Sequence, residues 1–439
     1  MSPTSGHTEN ILLTVVIQLI VIIAASRLFG LLFRKLGQPL VCGEIAAGLI
    51  LGPSVFGGMF PELFHRVFDP SVGQIFAIMS QIGLVLLMFL IGLEFDFGHL
   101  TENRRTAMSV SLAGILLPFT LGFVLGKGMH AALGLGGSWV NFALFIATAM
   151  SITAIPILGR IMVELNINRT RIGSLTISAA AVDDASGWIL LASVTAIARS
   201  TLDPIKLTLM VGETVVFALL MVRVVRPLLK RWIAHELRRN QGALSLSGLA
   251  ILLILLFLAA IATNLIGIFS IFGAFFLGAI LFDEAEFRHA VQARVRDFVT
   301  VFFLPIFFTY TGLRTEIGTM TGGPLWVMCG LVLLAAVVGK FGGCTLAARF
   351  NGLPWREASM VGVMMNTRAL MELIVINLGY DLGVIPKSVF FMLVLMAVVT
   401  TYLTTPVLRR LARSSELESD YLRSEFAARI KLAAAREGA

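Results

Sequence analysis

Charged residues are scarce in this chain, and their scarcity indicates the class of protein. They make up 14% of the 439 residues, against about 25% in an average soluble domain. Hydrophobic residues account for 57%, and the mean hydropathy is +0.90. These values exclude an ordinary soluble domain and indicate an all-α polytopic membrane protein.

Cysteines and enzyme motifs are also nearly missing. The three cysteines form no CxxC pair, which excludes a disulfide framework. No P-loop, GxSxG or HExxH pattern is present, and the six histidines show no metal-ligand spacing, so we expect no enzymatic activity and no cofactor. The net charge of +8 comes from loops between apolar runs, so we expect no nucleic-acid partner.

Apolar runs that are long enough to cross a bilayer recur along the chain. A transmembrane helix needs about 20 apolar residues. We predict thirteen spans, the ninth and tenth of them short, at 11–33, 39–56, 74–95, 106–127, 140–162, 172–198, 206–229, 244–265, 267–283, 299–314, 323–348, 358–379 and 386–408.

Lysine and arginine are concentrated in alternate loops between these spans. Because basic loops favour the cytoplasm, the asymmetry predicts an external N-terminus and a cytoplasmic C-terminus in the cell (inner) membrane. We predict one transmembrane domain over 1–413 and a short cytoplasmic tail over 414–439, with no soluble regulatory domain after the last span.

Two adjacent aspartates, Asp183 and Asp184, lie in the middle of the sixth span, in AVDDASGW. Asp184 is 13 residues from Arg171 and 15 from Arg199, about 20 Å from either end and near the bilayer midplane. A charge there costs on the order of 3 kcal/mol and usually serves transport. Burial and like charge both favour protonation of a carboxylate, so one of the pair can exchange a proton for a cation. The alternative is a structural ion pair or a set of buried hydrogen bonds.

A second buried charge is Lys340, in LVLLAAVVGKFGG. It lies 9 residues from Arg349 and 16 from Pro324, too deep to reach water easily. A carboxylate partner would relieve the cost of the buried ammonium, and one of the two aspartates is the obvious candidate. The alternative is a lysine that extends to the cytoplasmic interface.

The fifth span, ALFIATAMSITAIPILGRIM, contains an interruption. Pro156 cannot donate a backbone hydrogen bond, and Ser151 and Thr153 stand just before it. Transporters with inverted repeats place paired broken helices at the binding site, where freed carbonyls meet the ion. A simple proline kink is the alternative.

The twelfth span, VGVMMNTRALMELIVINLG, is interrupted by Asn366, Thr367, Arg368 and Glu372. Each interrupted span is next to a charged one: the fifth precedes the aspartates, and the twelfth follows Lys340. We predict that the polar residues of the two interrupted spans and the charges of the neighbouring spans belong to one site. A structural i,i+4 salt bridge is the alternative role for Arg368 and Glu372.

Four motifs resemble the cation:proton antiporter-2 family of monovalent cation/proton antiporters. They are GQPLVCGEIAAGLILGPS (37–54), IGLEFD (91–96), the VDDASGW of the sixth span, and MMNTRALMELIVINLGYDLGVI in the twelfth. The third is similar to the double-aspartate motif of NapA and NhaA, and the fourth to the CHX-type and Kef-like branch. The likeness extends over nearly the whole chain.

The resemblance implies an NhaA/NapA-like fold of thirteen spans in inverted repeats, with two broken crossing helices. It implies a homodimer with a dimerisation subdomain and a core subdomain, the latter formed by spans 106–198 and 323–408, which moves like an elevator. Asp184 would bind either cation or proton, Asp183 would pair with Lys340, and the broken-helix residues would lie near the crossing.

The resemblance also implies function: an antiporter that exchanges Na⁺ or K⁺ for protons, with Asp184 as the ligand of the cation. Exchange is electrogenic if Lys340 gives up its proton when the cation binds. Ion selectivity stays open, because the double aspartate resembles sodium exchangers whereas Glu372 follows Arg368 by four residues rather than the two of the NapA-like RGE pattern.

Three other functions are alternatives to antiport. A sodium-coupled organic-anion symporter of related fold is the main alternative, although it does not obviously need two aspartates and a lysine. An intramembrane aspartyl protease needs aspartates on different helices, and no GxGD motif is present. A receptor or scaffold predicts that neutral substitutions at the buried charges leave function intact.

Overall fold

The computed structural model describes residues 3–38, 40–94, 104–153, 155–164, 167, 170–199, 204–368 and 370–412, so the predicted tail at 414–439 lies outside the described residues. The described residues form α-helices and no β-strand. In chain order the helices are α1 Pro3–Lys35, α2 Leu40–Leu51, α3 Phe56–Met59, α4 Pro61–Val67, α5 Gly73–Glu94, α6 Arg104–Ala132, α7 Trp139–Ser151, α8 Ile155–Glu164, α9 Arg171–Arg199, α10 Pro204–Leu220, α11 Arg226–Arg239, α12 Leu246–Ile266, α13 Ser270–Ala279, α14 Ala285–Phe298, α15 Leu304–Leu313, α16 Gly323–Val337, α17 Gly343–Phe350, α18 Trp355–Met365, α19 Leu370–Asp381 and α20 Lys387–Ala412.

Three pairs of these helices are continuous through a π-helical turn. The turns are Met221–Val225 between α10 and α11, Val299–Phe303 between α14 and α15, and Val338–Gly342 between α16 and α17. A π-turn places one extra residue in the helix and is often found at functional sites. The third turn contains Lys340.

Ten helical segments among the described residues are long and apolar enough to cross a membrane, and the bent pair of α18 and α19, at 41°, can form one more. The apolar helices α7 and α13 are shorter. Each predicted span falls on one of these helices or on a broken pair, and the all-α multi-pass architecture is confirmed.

Three predicted spans have the wrong length. The helix predicted at 206–229 continues to Arg239, and the one predicted at 299–314 begins at Ala285. Both extensions are amphipathic, with Leu229, Ile233 and Leu237 buried on one face of α11, so the apolar run alone does not mark the end of the helix. The predicted span 267–283 contains only the ten residues of α13, since its last residues form a turn.

The chain divides into two compact units. The first contains the described residues of Met1–Leu28, Glu44–Asp96 and Thr195–Arg314. The second contains those of Phe29–Gly43, Phe97–Val194 and Thr315–Ala439. The second unit holds all the predicted site residues. The assignment of a dimerisation subdomain and a core subdomain stays a prediction.

Glycines on α6 and on its neighbours bring the site-bearing helices of the second unit together. A Cβ on Gly122 or Gly126 would lie 2.8 Å from the Cα of Ala147 or Ala143 on α7. On the other side, a Cβ on Gly339 would lie 2.9 Å from the Cα of Pro118. Such close approach is typical of small residues spaced four apart in membrane helices. Helix α6 therefore sets the positions of both α7 and the turn that carries Lys340.

Candidate functional site

The first break in the site separates α7 from α8. Helix α7 ends at Ser151 because Ile152 has an extended backbone, with φ −81° and ψ 143°. Pro156 is the second residue of α8, where a missing N–H costs no helical hydrogen bond. The last carbonyls of α7 consequently need partners from outside their own helix.

The second break separates α18 from α19 and lies in contact with the first. Helix α18 ends at Met365, and the hydroxyl of Thr153 donates to the Met365 carbonyl at 2.9 Å. Thr367 donates to the hydroxyl of Thr404 at 3.3 Å. The side-chain oxygen of Asn366 is buried and has no hydrogen-bond partner among the described residues. The structure therefore brings the two predicted interruptions together.

Asp183 and Lys340 form an ion pair that is fully buried. The Lys340 ammonium lies 3.0 Å from one carboxylate oxygen of Asp183 and 2.8 Å from the other. It also donates to the carbonyl of Ser151, the last residue of α7. Lys340 thus joins the aspartate helix α9 to the broken end of α7.

Asp184 has a different environment, although it is the next residue. It is also fully buried, but neither of its carboxylate oxygens accepts a hydrogen bond of normal geometry from the described residues. The indole of Trp188, one helical turn later, interacts with this carboxylate electrostatically. Adjacent helical residues point about 100° apart, which is why Lys340 reaches one carboxylate and not the other. Of the two carboxylates, Asp184 is therefore the one without an ammonium partner among the described residues.

Arg368 and Glu372 are also buried, and they form the i,i+4 ion pair expected from their spacing. Nη1 of Arg368 lies 3.8 Å from Oε1 of Glu372, which is too long for a hydrogen bond. The guanidinium instead donates to backbone carbonyls, at 2.7 Å to Met150, 3.3 Å to Ala149 and 3.1 Å to Ala336. Its own backbone N–H donates to the hydroxyl of Thr401 at 3.3 Å.

Sequence reasoning missed these backbone partners of Arg368. The interrupted helix at Ser151 was a signal that unpaired carbonyls would occur there, but nothing in the sequence indicates which distant side chain reaches them. The π-turn around Lys340 was also missed, because no residue type is specific to such a turn. Among the described residues no group of three His, Cys, Asp or Glu is placed to hold a metal ion.

A family model described as "Sodium/hydrogen exchanger, transmembrane" matches residues 20–413. The chain belongs to the sodium/hydrogen exchanger family. This is a family of membrane transporters, and membership confirms the resemblance to cation/proton antiporters found in the sequence.

Two relatives of this exchanger have been named by function. The Na⁺/H⁺ antiporter NhaS4 of Synechocystis sp. is 40% identical over 400 residues, which cover 91% of this chain and 97% of the relative. The K⁺/H⁺ antiporter 1 of Saccharomyces cerevisiae is 30% identical over 416 residues, covering 93% of this chain. The exchanger chain spans 47% of the yeast protein, about half its length.

A solved structure supports the fold of the exchanger. The sodium proton antiporter MjNhaP1 of Methanocaldococcus jannaschii matches with a TM-score of 0.61, covering 94% of this chain and 99% of that one. At 15% identity the match shows the fold. The fold class predicted from the sequence is confirmed.

Proposed function

We propose that this chain is a monovalent cation/proton antiporter in which Asp184 alternately binds a proton and Na⁺ or K⁺. One observation carries the proposal: of two fully buried adjacent carboxylates, Asp183 is neutralised by Lys340, and Asp184 has no such partner in the part of the chain that the structure describes. A buried carboxylate without a partner needs either a proton or a metal cation to offset its charge. The names of the relatives, which include sodium and potassium antiporters, support both ions.

Exchange follows from competition for one carboxylate. A proton and a cation both need the ionised Asp184, so binding of one requires release of the other. If Asp184 is carried across the membrane only when it holds a proton or a cation, the proton flux and the cation flux are coupled without a second binding site. None of the relatives described above is named as an organic-anion symporter, and we do not propose symport.

The test is reconstitution into liposomes that contain a pH-sensitive dye and carry an imposed proton gradient. NaCl, KCl, LiCl and choline chloride are added in turn to the wild type, to Asp184→Asn and to Ser193→Ala. Ser193 is exposed on the same helix and bonds only to the carbonyl of Ile189 in the hydrogen bonds described, which makes it the matched control. We expect proton movement with Na⁺ or K⁺ and not with choline, in the wild type and the control alone. No movement with any cation in folded wild-type protein would contradict the proposal.

The ion pair of Asp183 and Lys340 supports electrogenic exchange. If the incoming cation displaces the ammonium from Asp183, Lys340 can release its proton, so that more than one proton moves per cation. Lys340→Gln should then lose the dependence of transport rate on membrane voltage. Full voltage dependence in this variant would contradict the electrogenic step but not the antiport itself.

Further features of the proposal come from the resemblance described above. They are a homodimer in the cell membrane, an elevator-like displacement of the core subdomain, an external N-terminus and a cytoplasmic C-terminus. The charge asymmetry of the loops supports the orientation. Light scattering of the purified protein in detergent tests the dimer, which a single-chain mass would exclude.

A further inference from the structure

Two cations from different parts of the second unit cap the broken end of α7. The carbonyls of Ala149 and Met150 accept from the guanidinium of Arg368, and the carbonyl of Ser151 accepts from the ammonium of Lys340. The C-terminus of a helix has unpaired carbonyls and a partial negative charge, and both are stabilised by cations. The end of α7 is therefore bound by two cationic side chains.

The same guanidinium reaches the helix that carries Lys340. Nη2 of Arg368 donates to the carbonyl of Ala336 at 3.1 Å. Ala336 lies four residues before Lys340, near the end of α16 and just before the π-turn Val338–Gly342. Arg368 thus contacts the backbone on both sides of the hydrogen bond between Lys340 and Ser151.

The shape of the side chain suits this role. A guanidinium is a planar group with several N–H donors at fixed angles, whereas an ammonium is a point charge on a flexible stem. Arg368 is fully buried, and its charge is offset by Glu372 at 3.8 Å, which leaves its donors directed at carbonyls. A lysine at this position would keep the charge but could not hold two backbone segments at these distances.

We propose that Arg368 is a positioning residue that fixes Lys340 between the Ser151 carbonyl and the Asp183 carboxylate. It does so by tying the end of α7 to the end of α16. The inference rests on the proposed exchange at Asp184. An ammonium that is released from these two contacts can move to the neighbouring Asp184 carboxylate and compete with the cation for it, so a higher cation concentration is needed.

The test compares Arg368→Lys with the wild type in the liposome assay, using whichever of NaCl and KCl drives proton movement in the wild type. We expect the KM for the cation to rise about tenfold or more, equivalent to about 1.4 kcal/mol, with a smaller change in maximal rate. The matched control is Arg199→Gln, because Arg199 donates to the carbonyl of Gly267 at a helix end outside the site, at 3.0 Å. Its KM should be that of the wild type.

A second measurement separates positioning from general stability. In a Lys340→Gln background the same Arg368→Lys change should alter cation affinity by less than about twofold, because the group that it positions is gone. If Lys340→Gln does not transport, affinity is measured as the rise in melting temperature on addition of NaCl or KCl. Arg368→Gln, whose amide can still donate to one carbonyl, is the second variant.

Three outcomes would overturn the inference. One is a wild-type KM in folded Arg368→Lys, another is an equal effect with and without Lys340, and the third is failure of both Arg368 variants to fold while Arg199→Gln folds. The third would assign Arg368 a structural role alone. A wild type that shows no cation-driven proton movement would instead contradict the proposed function, so the two failures are distinguishable.

Discussion

Asp183 and Asp184 are the same residue type at adjacent positions, yet they occupy different chemical environments. The sequence predicted that two midplane carboxylates would be found with a lysine near them. It did not by itself decide which aspartate the lysine would meet, because that depends on the rotation of α9 about its axis. The family resemblance assigned Asp183 to Lys340, and the structure has the two groups 2.8 Å apart.

Removal of the Asp183 charge should destabilise the protein through the lysine that it leaves behind. Asp183→Asn leaves a fully buried ammonium without a carboxylate, and breaking a buried ion pair on one side costs about 3–5 kcal/mol. We expect a large fall in the melting temperature of the purified protein, measured by intrinsic tryptophan fluorescence. The double variant Asp183→Asn with Lys340→Gln should recover most of the lost melting temperature.

The control for that series is Asp297→Asn, because Asp297 is an exposed carboxylate on α14. It should melt within about 1 °C of the wild type, since exposed substitutions are usually worth less than about 0.5 kcal/mol. If the double variant melts as low as Asp183→Asn alone, the buried ammonium is not the source of the loss.

At the scale of single elements, local sequence signals predicted the interruptions well and the helix ends poorly. Pro156 and the polar run from Asn366 marked both broken spans, and the breaks at Ile152 and after Met365 are close to those marks. The amphipathic extension of α11 and the π-turn at Lys340 were not predicted. An amphipathic helix beyond the bilayer has no long apolar run, and no residue type is specific to a π-turn.

The hydrogen bond from Thr153 to Met365 joins the two breaks. Its removal should affect the site more than removal of a hydroxyl-to-carbonyl hydrogen bond within a single helix. Thr153→Val keeps the shape of the side chain but leaves the Met365 carbonyl without this donor, at a cost of about 1–3 kcal/mol. We expect a lower melting temperature and a lower maximal rate of cation-driven proton movement.

The comparison for this variant is Thr148→Val on α7, where the buried hydroxyl donates to Leu144 of the same helix at 2.8 Å. A carbonyl inside a helix still has its backbone partner, so this change should cost less. Equal effects of the two substitutions on transport rate would show that the contact between the breaks has no special role.

At the scale of the whole molecule, the contacts that build the site join residues far apart in the chain. Lys340 and Asp183 are 157 residues apart, and Arg368 and Met150 are 218 apart. Hydrophobic patterns identify spans one at a time, so they predicted the helices but not which of them pack together. The glycines that bring α6 against α7 were visible in GFVLG at 122–126, but their partners on α7 were not.

The orientation predicted from loop charges can be tested with introduced cysteines. The native Cys42, Cys329 and Cys344 are all buried, so they should give little background with a membrane-impermeant maleimide. Arg66→Cys should react in intact cells, because its loop is predicted to be external. Arg239→Cys should react only after the cells are made permeable, and the reverse pattern would invert the orientation.

Within the described ranges the carboxylate oxygens of Asp184 accept no hydrogen bond, and this has a consequence for leakage. When the site is empty, the ionised Asp184 would have to cross the membrane as a bare negative charge in a medium of low dielectric constant. This would cost several kcal/mol. Since each 1.4 kcal/mol slows a step about tenfold, the unloaded carrier would return at roughly a hundredth of the loaded rate or less. Poor solvation of a single carboxylate would thereby prevent slippage, so that a proton gradient is not dissipated when no cation is there to exchange.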